Sequence, residues 1–280
     1  MSTFRLALSG AIFCLATYLF VSAPAPLPDV PIDAVQSRHV ETEKMFNATN
    51  AINEAARHIY TSRIVGAGLK RGLSFGEDWA EPNVEKGPLP ALFLRLVAQE
   101  LETRPTRLSL YLGSDAPINK SNLFDDSQAA TFEILKTTED AVFSNIPDTG
   151  TVGMYPDVAT VAACVTCHNE HKDSPKKDWE LNDIMGATTW IYPSEALGAG
   201  DYLNATEQVF ESVASAYQRY LDKNATFETP IFIGNGWPDE EILMLPSVET
   251  FMKEVRRVAS VKIVDELILT SSANAPEEPR

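Results

Sequence analysis

The residues whose type and spacing could do chemistry are Cys164-Val165-Thr166-Cys167-His168. Two cysteines three positions apart, followed at once by a histidine, form the C-x-x-C-H pattern that attaches a c-type haem. Thiolates at that spacing reach the two vinyl groups along one porphyrin edge, and a histidine beside the second cysteine stays under the iron as its proximal ligand. On this reading Cys164 and Cys167 hold one covalent haem c, and His168 supplies the first axial ligand. The third cysteine, Cys14, lies in an apolar N-terminal run, so the folded part has only this pair.

Three other chemistries use similar residues. A thioredoxin-like redox pair sits where a strand feeds a helix whose N-terminus lowers the first thiol's pKa. The run Met154–Ala163, with Pro156 and Asp157, predicts no clean buried strand there. A structural zinc site needs four ligands; Cys164, Cys167 and His171 supply three, and no second cysteine pair exists. A disulfide between Cys164 and Cys167 closes so short a loop that it constrains the unfolded chain little. Haem attachment leads, and these readings stay beside it.

Compartment comes from the N-terminus. Arg5 precedes an uncharged apolar run, Leu6–Ala23, which reads as a signal peptide or a single membrane anchor. Ala23 and Ala25 offer a small-residue cleavage site, and the proline after each works against cutting there. Export agrees with the motif, because bacterial c-type haem is attached outside the cytoplasm; the expected location is periplasmic, secreted or anchored, with the membrane met only through this segment. The net charge of −16 argues against nucleic acid as a partner, since phosphate binding needs clustered cations. Lys176-Lys177 and Arg256-Arg257 read as solvated faces.

N-terminal to the motif, Pro24, Pro26, Pro28 and Pro31 make residues 24–35 an extended linker. Gln36–Ser62 has apolar residues at helical spacing, with His39 in the first turn and His58 beside the stripe. Ile64–Trp79 reads as a glycine-relaxed connection without a phosphate-loop pattern. A helix is predicted over Pro90–Glu102 and a half-buried strand over Leu108–Leu112. Asp126 or Ser127 caps a helix over Gln128–Lys136, and short strands at Ala141–Phe143 and Val152–Tyr155 flank an Asp148-Thr149-Gly150 turn. Ala187–Tyr192 is a predicted central strand. Helices follow over Ala205–Leu221, capped by Asn204, and Val248–Leu269, opened by Ser247, with a polar tail over 271–280. The pattern gives an α+β fold: a domain over 36–200, then a helical extension over 201–270.

Beyond the motif, Gly87-Pro88-Leu89-Pro90-Ala91, Leu112-Gly113-Ser114-Asp115-Ala116-Pro117-Ile118-Asn119 with Asn122, and the run from Cys164-Val165-Thr166-Cys167-His168-Asn169 through His171 to Trp179, with Asp183 and Met185-Gly186, resemble one family. It is the PAS-like single-haem c-type sensor domains, long classed as a domain of unknown function, found before bacterial histidine kinases and nucleotide cyclases. The resemblance covers about Gly87–Tyr192 and implies a PAS-like antiparallel sheet with flanking helices, haem on Cys164 and Cys167, and His168 on the iron. Some relatives carry a cysteine as distal ligand on the helix matching Pro90–Leu101, where this chain has no Cys, His or Met. The distal candidates are therefore His58, Met154 and His171, or an open position.

Two functions compete. In the first, a haem-based redox or gas sensor responds to iron oxidation state or a diatomic gas, with the helix Val248–Leu269 carrying the signal to a separate protein partner. In the second, a small periplasmic electron-transfer cytochrome meets basic redox partners through its acidic surface. Haem-based catalysis is a third, for which Arg95 or His58 near the distal face would be required; no catalytic triad or carboxylate pair stands out.

Overall fold

The computed structural model describes residues 39–273 together with Phe13, Thr17 and Tyr18. The leader, the linker 24–35 and the end of the tail therefore lie outside the described residues, apart from those three positions. Among the described residues no helix is long and apolar enough to cross a membrane.

The core forms around helix α1 (Thr42–Ile59). Its small and apolar residues face neighbours on nearly every side, and Met45, Phe46, Ile52, Ala55 and Ala56 are fully buried. The helix starts later than its periodicity suggests, because His39–Glu41 form a strand, β1, paired antiparallel with a strand at Ala196–Gly198. His39 is thus exposed on a strand and not in a helical turn. It also ends later. A π-helical stretch over Tyr60–Gly66 and a short helix α2 (Ala67–Lys70) continue it through what the glycines mark as a connection. Buried Tyr60, Ile64 and Val65 hold that stretch in place, and tertiary burial outweighs a glycine's propensity cost of about 1 kcal/mol.

After β2 (Phe75–Gly76) and β3 (Gly87–Pro88), a parallel pair, comes helix α3 (Pro90–Glu102). The main sheet is built from β4 (Ser109–Gly113), β5 (Val142–Ile146), β6 (Gly150–Val158) and β7 (Ile184–Tyr192), all antiparallel in the order β4-β7-β6-β5. The β5–β6 turn needs Asp148 and Gly150 at φ 65° and 105°, and a Cβ on Gly150 would lie 2.3 Å from the Tyr192 carbonyl. β6 runs on through Pro156 to Val158, so a strand does stand where the proline argued against one. Its pairing with β5 stops at Met154, so at Pro156 only β7 still pairs with it, and a proline is tolerated best where a strand has one neighbour.

The two faces of this sheet do different work. Leu110, Tyr155, Trp190 and Tyr192 face the core shared with α1 and α3. Gly153 has no side chain because Phe46 passes there, 2.7 Å from where a Cβ would sit. Met154 and Ala187 face the other way, under helix α4 (Asp126–Thr138) with Phe132 and Leu135. The cap of α4 is Asp125, one residue before the expected position, in a reciprocal capping box with Gln128. Helix α5 (Ala162–Glu170) carries the C-x-x-C-H motif.

The strand at Ala196–Gly198, β8, leads into helix α6 (Ala199–Asn224), capped by Gly198, so Asn204 falls inside it. A parallel pair, β9 (Phe232–Gly234) with β10 (Met244–Pro246), precedes helix α7 (Val248–Ala273), whose first turn donates the Thr250 N–H to the Ser247 hydroxyl, the expected cap. Both helices belong to the domain core. Phe251 stacks on Tyr217 at 4.1 Å and meets Phe93 edge-on at 6.1 Å. Phe251, Val255 and Ala259 are fully buried against α1 and α6, whereas Val261 and Val264 are half exposed. The described residues from His39 onward belong to one compact unit, in which α6 and α7 are load-carrying parts of the same core as the sheet.

Candidate functional site

The C-x-x-C-H helix leaves β6 at a register shift between Asp157 and Val158. Ala159 then pairs with the segment before β7, donating its N–H to Asp183 O (2.9 Å) and accepting from Asn182 N–H (3.0 Å). These bonds pin both ends of the 159–183 excursion at one sheet corner. α5 packs chiefly on loops, in a small satellite cluster of Ala159, Trp179 and Met185 with Ala116, Cys164 and Val165.

Within α5, Cys164 is half-buried and Cys167 exposed, and both thiols are free. One helical turn separates them. The Cys167 thiol is pushed up by burial, then by Glu77, Cys164 and Glu170, all of which oppose a thiolate. A strand feeding a helix is the frame of a redox pair, but this acidic neighbourhood is the reverse of what activates one. No three His, Cys, Asp or Glu groups converge to hold a metal among the described residues, which leaves the zinc arrangement of Cys164, Cys167 and His171 without geometric support.

His168 is half-buried, and burial and then His171 hold its imidazole below the usual range. Its Nδ1 is buried with no hydrogen-bond partner. The ring lies edge-on to Trp179, with centroids 6.4 Å apart and planes at 88°. Trp179 is itself fixed by Asn169, whose Nδ2 donates to Trp179 O and whose Oδ1 accepts from Trp179 N–H, both at 2.9 Å. Trp179 Nε1 is a second buried polar atom without a partner.

The distal candidates are scattered. His171 stands just past the end of α5, its Nδ1 accepting from Asp173 N–H (3.2 Å) and its Nε2 3.5 Å from Glu77 Oε2. Met154 is buried beneath α4, in a different cluster from the motif. His58 is exposed on α1. Its neighbour Arg57 is the α1 residue that reaches the site: it pairs with Asp157 at the end of β6, and its guanidinium, lowered by burial, feels Glu54 and Cys164. Arg95 lies on α3, which packs against α6 and β4. Glu77 and Arg57 escape a sequence reading because both come from segments far from the motif in the chain. Trp179 and Asn169 carry a readable signal, since they fall in the run that follows it.

Two shallow clefts lie elsewhere. One of about 200 Å³ is lined by Leu73, Tyr220 and Ile231; another of about 430 Å³ is lined by Lys70, Arg71 and Asp239. Neither cleft includes a residue of the motif.

Residues 32–193 of the chain match one family profile, Tll0287-like. The chain belongs to the Tll0287-like family. The match takes in α1, the whole four-stranded sheet and α5, and it stops after β7, before α6 and α7. No curated protein and no solved structure matches the chain.

Proposed function

We propose that this chain is an exported c-type haem protein that works as a haem-based redox or gas sensor and signals to a separate protein partner. The single observation that carries the reading is the state of the motif. Two free thiols stand one turn apart on a surface helix, followed at once by a half-buried histidine. Those residues fit the group chemically. Cys164 and Cys167 would each add an S–H across a vinyl group, and His168 would present its Nε2, the ring nitrogen opposite the buried Nδ1. When bound, the haem would supply a one-electron couple and, with an open sixth position, a site for a diatomic gas. Asn169 and Trp179 hold the loop behind His168, and the Arg57–Asp157 pair ties α1 to the root of the motif helix. α1 also packs against α7, so in this reading a change at α5 would reach the far surface along the α1–α7 seam.

The exposure of Cys167 also favours the second reading, a periplasmic electron carrier, because an accessible motif leaves a haem edge within reach of a basic partner. Expression with a c-type haem maturation system, followed by a pyridine haemochrome spectrum after denaturation, tests the shared part. Covalent haem in the wild type, lost in the Cys164→Ala/Cys167→Ala double variant, is expected; a wild-type chain without covalent haem would refute both readings. Carbon monoxide then separates them: fast binding by the reduced protein supports the sensor, and inertness with a reversible midpoint supports the carrier.

A further inference from the structure

Three side chains form a stack behind the motif. The His168 ring meets the Trp179 indole edge-on at 6.4 Å, and the Lys176 ammonium lies 3.7 Å from the Trp179 ring centroid. Trp179 is 5% exposed and packed with Ala159 and Met185, so its indole cannot swing out without opening that cluster. Its backbone is held at both the N–H and the carbonyl by Asn169, the residue that follows His168 in α5. Lys176 is held in turn: the Ser174 hydroxyl donates to its carbonyl at 2.6 Å, and Asp183 and Asp178 lie 3.7 and 3.9 Å from its ammonium.

His168 lacks the usual means of orientation. A metal-binding histidine is ordinarily aimed by a hydrogen bond at its other ring nitrogen. Here Nδ1 is buried and has no such bond. What restrains the ring is the indole against it. We propose that Trp179 is the positioning residue for His168, fixing the plane of the imidazole by packing in place of the missing hydrogen bond, with Lys176 supplying a positive charge to the same stack. The assignment rests on the haem reading of the motif and adds to it the group that sets ligand orientation and biases the couple. A cation over the indole favours the reduced iron, because gaining an electron beside a positive charge is easier than beside none.

The test uses the full chain, haem-loaded, as wild type and as Trp179→Leu, Trp179→Phe and Lys176→Gln. Denaturing haemochrome spectra count covalent haem, ferric electron paramagnetic resonance reports the axial ligand's orientation, and a potentiometric titration gives the midpoint. Trp179→Leu is expected to keep wild-type haem stoichiometry while its g-values shift or broaden; Trp179→Phe, which retains a ring, should recover most of the wild-type signature. Lys176→Gln should move the midpoint to more negative values and leave the g-values in place. Full haem with wild-type g-values and midpoint in Trp179→Leu would overturn the proposal.

Should Trp179→Leu fail to fold, the haem-free chain and its Trp179→Phe variant give a second reading. With four histidines in the chain, the His168 ring protons are assignable by nuclear magnetic resonance, and their shifts should move when the indole is replaced. Unmoved shifts defeat the stack. Moved shifts in a chain that never takes up covalent haem support the stack and defeat the haem reading.

Discussion

Replacing Phe251 by alanine tests whether α7 is part of the core or a detachable signalling arm. Phe251 is fully buried, stacked on Tyr217 at 4.1 Å and edge-on to Phe93 at 6.1 Å. Deleting a buried phenyl ring costs about 3–5 kcal/mol, of which the two aromatic contacts supply about 0.5–1.5 kcal/mol each. Against a total stability of about 5–15 kcal/mol this is a large loss. For a unit of this size each kcal/mol moves Tm by about 2–4 °C, so a fall of roughly 6–20 °C is expected. The assay is a thermal melt of the full chain by circular dichroism at 222 nm. Phe251→Leu, which refills part of the space but loses both ring contacts, should cost about 1–3 kcal/mol, less than the alanine variant. Val264→Asp, on the half-exposed part of the same helix, should change stability by no more than about 0.5 kcal/mol. A Phe251→Ala melt within about 2 °C of wild type would refute the packing. So would a chain truncated before Ser247 that stays folded and takes up haem, and the whole of α7 would then stand as a free output helix.

Other consequences follow from single groups. Burial raises the phenols of Tyr60, Tyr217 and Tyr220 above the ordinary value near 10. Their folded forms hold protons that the unfolded chain would release, so stability is full below about pH 10 and falls as pH rises beyond it. Absorbance at 295 nm should show these three of the eight tyrosines ionising together with loss of helicity; smooth titration of all eight with the helix intact contradicts this. In the haem-free chain Cys167 should react with iodoacetamide at pH 8 more slowly than a free thiol, and Glu77→Gln should speed it, because Glu77 opposes the thiolate; a rate unchanged by that substitution removes Glu77 from the site. Asp125→Ala opens the capping box of α4 and should cost about 1 kcal/mol, read as a lower urea midpoint with an unchanged slope.

Much of the sheet was legible. Alternating apolar residues and an Asp-Thr-Gly turn are local signals, and they placed the β5–β6 hairpin and β7 close to where they lie. The helices were less so at their ends. His39 reads as a first helical turn because nothing near it in the chain announces Ala196–Gly198, its strand partner. Ile64–Lys70 reads as a connection because glycine spacing is visible and the burial of Ile64 and Val65 is not. Pro156 reads as a break in β6 because a proline's cost depends on whether a neighbour needs its N–H, which pairing alone decides.

The candidate site divides in the same way. Cys164, Cys167 and His168 are fixed relative to one another by covalent spacing along one helix, so the sequence by itself determined what chemistry they offer and which family the chain resembles. The surroundings depend on contacts between segments far apart in the chain. Folding alone brought Arg57 and Glu77 to the motif, buried Met154 under another helix and left His58 in solvent. It also put the first turns of α7 into the core while leaving Val261 and Val264 exposed. One apolar stripe is continuous in sequence; whether each part of it is covered depends on which side of α7 meets a neighbour, and beside exposed Val261 it is Lys262 that reaches α1, at Glu54.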